Sequence, residues 1–213
     1  MVAAVRVHQP GGPEVLTFED IEVPAPGPGQ VKLKQHASGI NFIDTYFRMG
    51  MYPSPVGLPF VPGNEGAGEV IAVGPGVPDL KVGDRVGYVV PLGAYAAERV
   101  LPAERAVKLP ANIGYEQAAA TMLKGMTVCY LLRRTFDVKK GTTVLIHAAA
   151  GGIGLIACQW ANALGATVIG TVGTKDKASL AKANGCHHAI LYRDEDFAAR
   201  VKEITGGALC DVV

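Results

Sequence analysis

The sequence predicts an α/β protein in two parts, an antiparallel module of short strands followed by a partial doubly wound parallel sheet. Three observations predict this. Proline and glycine punctuate the first half, as in Val23-Pro-Ala-Pro-Gly-Pro-Gly29 and Pro53-Ser-Pro-Val-Gly-Leu-Pro-Phe-Val-Pro62, and leave room only for short β-type runs. Past about residue 115 strand-type and helix-type runs alternate, the order that builds a parallel, right-handed sheet. Thr142-Thr-Val-Leu-Ile-His-Ala-Ala-Ala-Gly-Gly-Ile-Gly154 reads as a buried strand, a glycine-rich turn and a helix opening at Gly152.

In the first part, β-type runs are expected at Val2–Val7, Leu16–Val23, Val31–His36, Gly68–Val73, Arg85–Val90 and Tyr95–Val100. A short helix fits Phe42–Arg48, with Asn41 as its N-cap. Glu116–Met122 and Thr127–Thr135 read as two helices. The alternation then runs through Val144–Ile146, Ile153–Leu164, Thr167–Val172, Lys175–Ala183, Ala189–Leu191 and Ala198–Thr205, with Gly165 and Gly185 where helices must stop. Gly206–Val213 reads as a loop entering a fourth parallel strand, so the chain is expected to hold about half of a doubly wound sheet of about six strands. The expected division is 1–122 and 123–213. By itself such a chain is expected to be poorly soluble or inactive.

Composition excludes several classes. Hydrophobic residues make up 49% and charged ones 18%, enough for a sizeable core. A net charge of +1 gives no excess for nucleic acid or an anionic membrane surface. No apolar run is long enough to span a bilayer, and the amino-terminal run alternates like a strand instead of a signal peptide, so a cytoplasmic location is expected. The four cysteines form no C-x-x-C pair, and most read as buried small hydrophobes.

The glycine turn places free helix N–H groups and the positive end of a helix dipole where a pyrophosphate could sit. Its spacing, Ala148-x-x-Gly151-x-x-Gly154, carries alanine at the first position of the usual G-x-G-x-x-G, and the same glycines could serve a tight corner only. About 20 residues past such a turn, NAD-selective sites carry an acidic residue for the ribose. Here that position is Gly173, followed by Thr174, Lys175 and Lys177. Loss of the carboxylate and gain of cations suits a 2′-phosphate, so NADPH is the expected cofactor; the alternative is an ordinary solvated helix start. Tyr192, past the third strand, is placed to stack on adenine or ribose, or is simply an exposed aromatic.

The whole chain resembles the zinc-free medium-chain dehydrogenases/reductases, closest to the NADPH:quinone oxidoreductases related to zeta-crystallin. The resemblance rests on Gly39-Ile-Asn-Phe-Ile-Asp-Thr-Tyr46, Pro62-Gly-Asn-Glu-Gly-Ala-Gly68, Val82-Gly-Asp-Arg-Val86, Gly93-Ala-Tyr95, Met122-Leu-Lys-Gly-Met-Thr127, the His147–Gly154 turn and Cys158-Gln-Trp-Ala161. It implies a GroES-like, β-barrel-type catalytic domain, then a Rossmann coenzyme domain truncated at its carboxyl side, with the active site in the cleft between them and dimerisation when full length. Zinc enzymes of the superfamily place ligands where this chain has Asn41, Asn64 and Leu123. A catalytic zinc needs about three N, S or O ligands, so no metal is expected; His187 and His188 point in different directions on a strand entry, and His8, His36 and His147 are scattered.

What remains is hydride transfer from NADPH to a quinone, with proximity supplying most of the rate and the cofactor the redox chemistry. The resemblance nominates Asn41 and Tyr46, and more weakly Tyr52, as catalytic residues near the acceptor oxygen or the nicotinamide. The bland readings are a helix cap for Asn41 and a packed rim for the two tyrosines. The expected cofactor set is Lys124 and Thr127 near the nicotinamide ribose, Ala150, Gly151, Gly152, Ile153 and Gly154 at the turn, and Gly173, Thr174, Lys177 and Tyr192 at the adenosine end. A second enzyme reading keeps fold and cofactor but reduces the C=C bond of an enone or enoyl thioester. A third is a non-catalytic, crystallin-like NADPH-binding protein.

Overall fold

The computed structural model describes residues 1–213, which form two compact units, Met1–Leu123 and Lys124–Val213. In the first, β1 (Val2–Val7) and β2 (Leu16–Ile21) pair as an antiparallel hairpin. A five-stranded antiparallel sheet follows, built from β3 (Gln30–Ser38), β4 (Glu65–Val73), β5 (Arg85–Val89), β6 (Glu98–Pro102) and β7 (Ala106–Lys108) in the order β6-β3-β4-β5-β7. Alternation sets its core: on β3, Val31 and Leu33 are buried while Lys32 and Lys34 point the other way. They pack with Val70, Val86, Tyr88 and Leu101.

Two expectations shift here. The run Tyr95–Val100 splits between partners: Ala96 bridges Ala4, Ala97 accepts from Gln35 N of β3 at 2.8 Å, and the ladder with β3 runs from Glu98. The three-residue β7, paired with Val86–Tyr88, is too short to show a period and was not anticipated. Helix α1 (Phe42–Arg48) lies where expected, opened by a reciprocal capping box between Asn41 and Asp44.

The two helices expected at Glu116–Met122 and Thr127–Thr135 are instead one helix, α2 (Tyr115–Tyr130), ending in a wider π-type turn at Leu131–Thr135. The only helix-weakening residue between them is Gly125, whose cost of about 1 kcal/mol is outweighed by burial of Ala118, Ala119 and Val128 on either side.

The second unit alternates β8 (Thr143–Ile146), α3 (Gly152–Ala163), β9 (Thr167–Val172), α4 (Lys175–Ala183), β10 (His188–Leu191) and α5 (Phe197–Ile204). The strands are parallel in the order β10-β9-β8. On the other side of β8, Val212 forms a parallel bridge with Val144, and Leu145 donates to the Val212 carbonyl at 2.9 Å. Both faces are covered: Val168 and Val172 of β9 pack with Ala157, Cys158 and Ala161 of α3, while Ile169 packs with Leu145, Ile190 and Val201 of α5. This explains why the strands read as continuous apolar runs. Cys158 and Cys186 sit together in that core; the hydrogen bond with Cys186 and burial push the Cys158 thiol well above its ordinary range.

Candidate functional site

The second unit carries a cradle at the carboxyl end of β8. Ile146 ends the strand, the chain turns through Ala148, and Gly151 caps α3 without a side-chain hydrogen bond. The N–H groups of Gly152, Ile153 and Gly154 make no backbone hydrogen bond, so three donors at the positive helix end stand open for an anion. Ala148 holds φ +53°, the left-handed region, and its carbonyl accepts from Gly151 N at 2.8 Å. That carbonyl also dictates Gly154: a Cβ there would lie 2.3 Å from it and 2.7 Å from Ala149 Cα.

A cleft of about 520 Å³ extends from this turn across the end of β9, lined among others by His147, Ala150, Gly151, Gly173, Lys177 and Tyr192. At Gly173 a Cβ would lie 3.0 Å from Tyr192 Oη, so any side chain would enter the space beside the phenol. Thr174 caps α4, its hydroxyl accepting from Lys177 N at 3.3 Å. His147 is fixed by a 3.0 Å hydrogen bond with Thr171 Oγ1 and the edge of Phe197. These features fit a dinucleotide: an open N–H cradle for its pyrophosphate and a carboxylate-free strand end for its adenosine.

In the first unit, Asn41, Asn64 and Leu123 gather around two buried carboxylates. Glu65, fully buried, accepts from Asn41 Nδ2 at 2.7 Å and from Leu123 N at 2.6 Å. Asp44, only 5% exposed, accepts from Asn64 Nδ2, from Tyr95 Oη at 2.8 Å and from Asn41 N at 2.9 Å. Asn64 Oδ1 in turn receives Leu92 N at 3.3 Å. Burial, and then the hydrogen bond to Asp44, raise the Tyr95 phenol well above the usual tyrosine range. This donor set does not fit a catalytic zinc, because amides and a backbone N–H stand where thiolate or imidazole ligands are needed, and the chain holds no group of three His, Cys, Asp or Glu side chains placed to hold a metal.

Of the expected cofactor residues, the structure brings Ala150, Gly151, Gly173, Lys177 and Tyr192 to one cleft. Gly152, Ile153 and Gly154 form the first turn of α3, and Thr174 opens α4. Lys124 lies beside the turn, its Cδ and Cε 3.0 Å from where a Gly152 Cβ would stand. Thr127 lies one turn further along α2. Among the catalytic candidates, Tyr46 and Tyr52 meet edge to face at 5.5 Å. Asn41 sits at the mouth of α1 with its amide nitrogen turned to Glu65. Sequence reasoning passed over Glu65 and Tyr95, which it saw only as parts of motifs, and His147, which it counted as scattered. Glu65 had one signal: a carboxylate at the head of the run Gly66-Ala-Gly-Glu-Val-Ile-Ala, apolar but for Glu69.

Comparison with known proteins matches residues 27–111 to the alcohol dehydrogenase GroES-like domain and residues 152–213 to the zinc-binding dehydrogenase domain. A quinone oxidoreductase of Pseudomonas aeruginosa is 55% identical over 100% of this chain and 66% of its own length. A 2-haloacrylate reductase of a Burkholderia species is 52% identical over 100% of this chain and 66% of its own. The crystal structure of Escherichia coli quinone oxidoreductase complexed with NADPH superposes with a TM-score of 0.93 at 51% identity, over 96% of this chain and 63% of that one. The chain thus spans just under two thirds of the length of these relatives.

Proposed function

The chain belongs to the quinone oxidoreductase family of medium-chain dehydrogenases/reductases, and on that premise we propose that it binds NADPH and serves metal-free hydride transfer to a quinone. The observation that carries the reading is the cradle: three open N–H groups at α3 beside a strand end whose acidic position is Gly173, with Lys177 in the same cleft. When bound, the reduced nicotinamide supplies the hydride. The residues of the chain bind and orient. The N–H groups of Gly152, Ile153 and Gly154 hold the pyrophosphate; Ala150 and Gly151 leave room for its approach; Gly173, Thr174, Lys177 and Tyr192 take the adenosine end; Lys124 and Thr127 serve the nicotinamide ribose.

Tyr46 and Tyr52 are proposed to donate toward the acceptor oxygen as negative charge develops there. Asn41 holds the head of α1 between Asp44 and Glu65 and sets where those tyrosines stand. The same proposal includes a cytoplasmic homodimer, checked by sedimentation of the whole protein.

A second reading, reduction of an activated C=C bond, is favoured by one observation: the relative named for 2-haloacrylate is as similar as those named for quinones. Oxidation of NADPH by the whole protein with a benzoquinone or a 2-haloacrylate as acceptor separates them. The quinone reading expects the benzoquinone to be used at least about tenfold more efficiently, a difference of about 1.4 kcal/mol in activation free energy. The reverse preference would transfer the assignment to C=C reduction, and turnover of neither would leave a non-catalytic NADPH-binding protein.

A further inference from the structure

We propose that Arg193 is a second cation for the 2′-phosphate of the bound dinucleotide and sets its preference for NADPH together with Lys177. The inference rests on the NADPH reading above and adds to it a residue that neither the glycine motif nor the strand-end comparison indicated. Its starting point is Gly173. A Cβ built there would lie 3.0 Å from Tyr192 Oη and 3.5 Å from Arg193 Nε, so the guanidinium stands over the same backbone position as the phenol. Lys177 and Tyr192 line the cleft at that point.

Two of the three carboxylates that follow Arg193 are held elsewhere. Three acids follow it closely in the sequence, Asp194, Glu195 and Asp196. Glu195 instead pairs with Arg200 at 2.9 Å and accepts from Leu191 N at 2.9 Å. Asp196 caps α5, accepting from Ala198 N at 2.9 Å and Ala199 N at 3.2 Å. Neither Arg193 nor Lys177 has a carboxylate partner, whereas Arg6, Lys32, Lys108, Arg133 and Arg200 all do. A glycine at the end of β9 thus has the Tyr192 phenol and the Arg193 side chain beside it, with Lys177 lining the same cleft.

A phosphate monoester carries roughly −1.5 to −2 charges near neutral pH, which one ammonium does not balance. Guanidinium adds a planar fork of donors that matches phosphate oxygens. Tyr192 lines the same cleft and would serve the adenosine beside them.

The test uses the full chain and two probes, adenosine 2′,5′-bisphosphate and adenosine 5′-monophosphate, with affinities read by calorimetry. Arg193→Gln is expected to weaken the bisphosphate by about tenfold, the scale of one lost charge-assisted hydrogen bond, and to leave the monophosphate unchanged. Unchanged monophosphate binding also shows that the variant is folded. A variant that keeps the wild-type preference for the bisphosphate would overturn the role of Arg193 while leaving the NADPH reading intact. Equal weakening of both probes would also overturn it, since the residue would then support the site as a whole. If the wild-type chain itself bound both probes alike, the NADPH reading would fall and the role of Arg193 with it.

Discussion

The two buried carboxylates of the first unit hold what would otherwise be an unsupported corner. Glu65 needs both oxygens as acceptors, one for Asn41 Nδ2 and one for Leu123 N. Glu65→Gln turns one of them into a donor facing a donor, and is expected to cost about 1–3 kcal/mol, read by urea denaturation of the chain. Tyr95 adds a pH signature. Its phenol is held neutral in the fold by burial and by Asp44, while in the unfolded chain it ionises near about pH 10. Above that pH the unfolded state sheds a proton that the folded state keeps, so stability present below about pH 10 is lost progressively as pH rises. Tyr95→Phe should therefore be less stable than wild type near neutrality and flatten the alkaline decline; an unchanged slope above pH 10 would show that Tyr95 ionises freely in the fold. This layer was hardly legible from sequence. Asn41 and Asp44 could be read as a cap because capping is local, but Glu65 and Tyr95 join them only through strand pairing between distant segments.

At the level of elements, the turn between β8 and α3 shows how little side-chain volume the cradle tolerates. A Cβ at Gly154 meets backbone, the Ala148 carbonyl and Ala149 Cα, which cannot rotate away. Gly154→Ala is expected to destabilise by about 1–3 kcal/mol, the cost of overpacking, and to abolish dinucleotide binding in the same calorimetric assay. Ala148 is the opposite case. It holds φ +53° without being glycine, a conformation that costs roughly 1–2 kcal/mol, so Ala148→Gly should leave stability unchanged or raise it by up to about 1 kcal/mol. A loss of 1 kcal/mol or more in thermal unfolding would show that the alanine methyl makes packing contacts that outweigh the strain. Local signals made these elements readable: α1, β9 and α4 fall on the expected residues, and Gly152 opens α3. The misses came where local signals are weakest or partners change, as in the unbroken α2 across Gly125 and the strand that leaves β1 for β3 at Ala96.

Across the whole molecule, net charge is +1, no helix is long and apolar enough to cross a membrane, and the chemistry of the candidate site is local. That chemistry divides between the units. One supplies a polar cluster built from amides and carboxylates; the other supplies helix N–H groups open to an anion and a cleft whose lining includes Lys177 and no carboxylate. The first half of this division was legible because Asn41, Asn64 and Leu123 are recognisable by motif, and the second because strand, glycine turn and helix are contiguous. Ligand linkage gives a global prediction: NADPH at about 100 times its dissociation constant should add about 2.7 kcal/mol of stability, and equimolar NADH markedly less. The most direct test is quinone-dependent NADPH oxidation by the whole protein after exhaustive metal chelation, run beside NADH. The expected result is an undiminished rate with NADPH and at least about a tenfold lower efficiency with NADH, which corresponds to about 1.4 kcal/mol at the 2′-phosphate. A rate that dies on chelation and returns with zinc, or equal use of the two cofactors, would contradict the assignment.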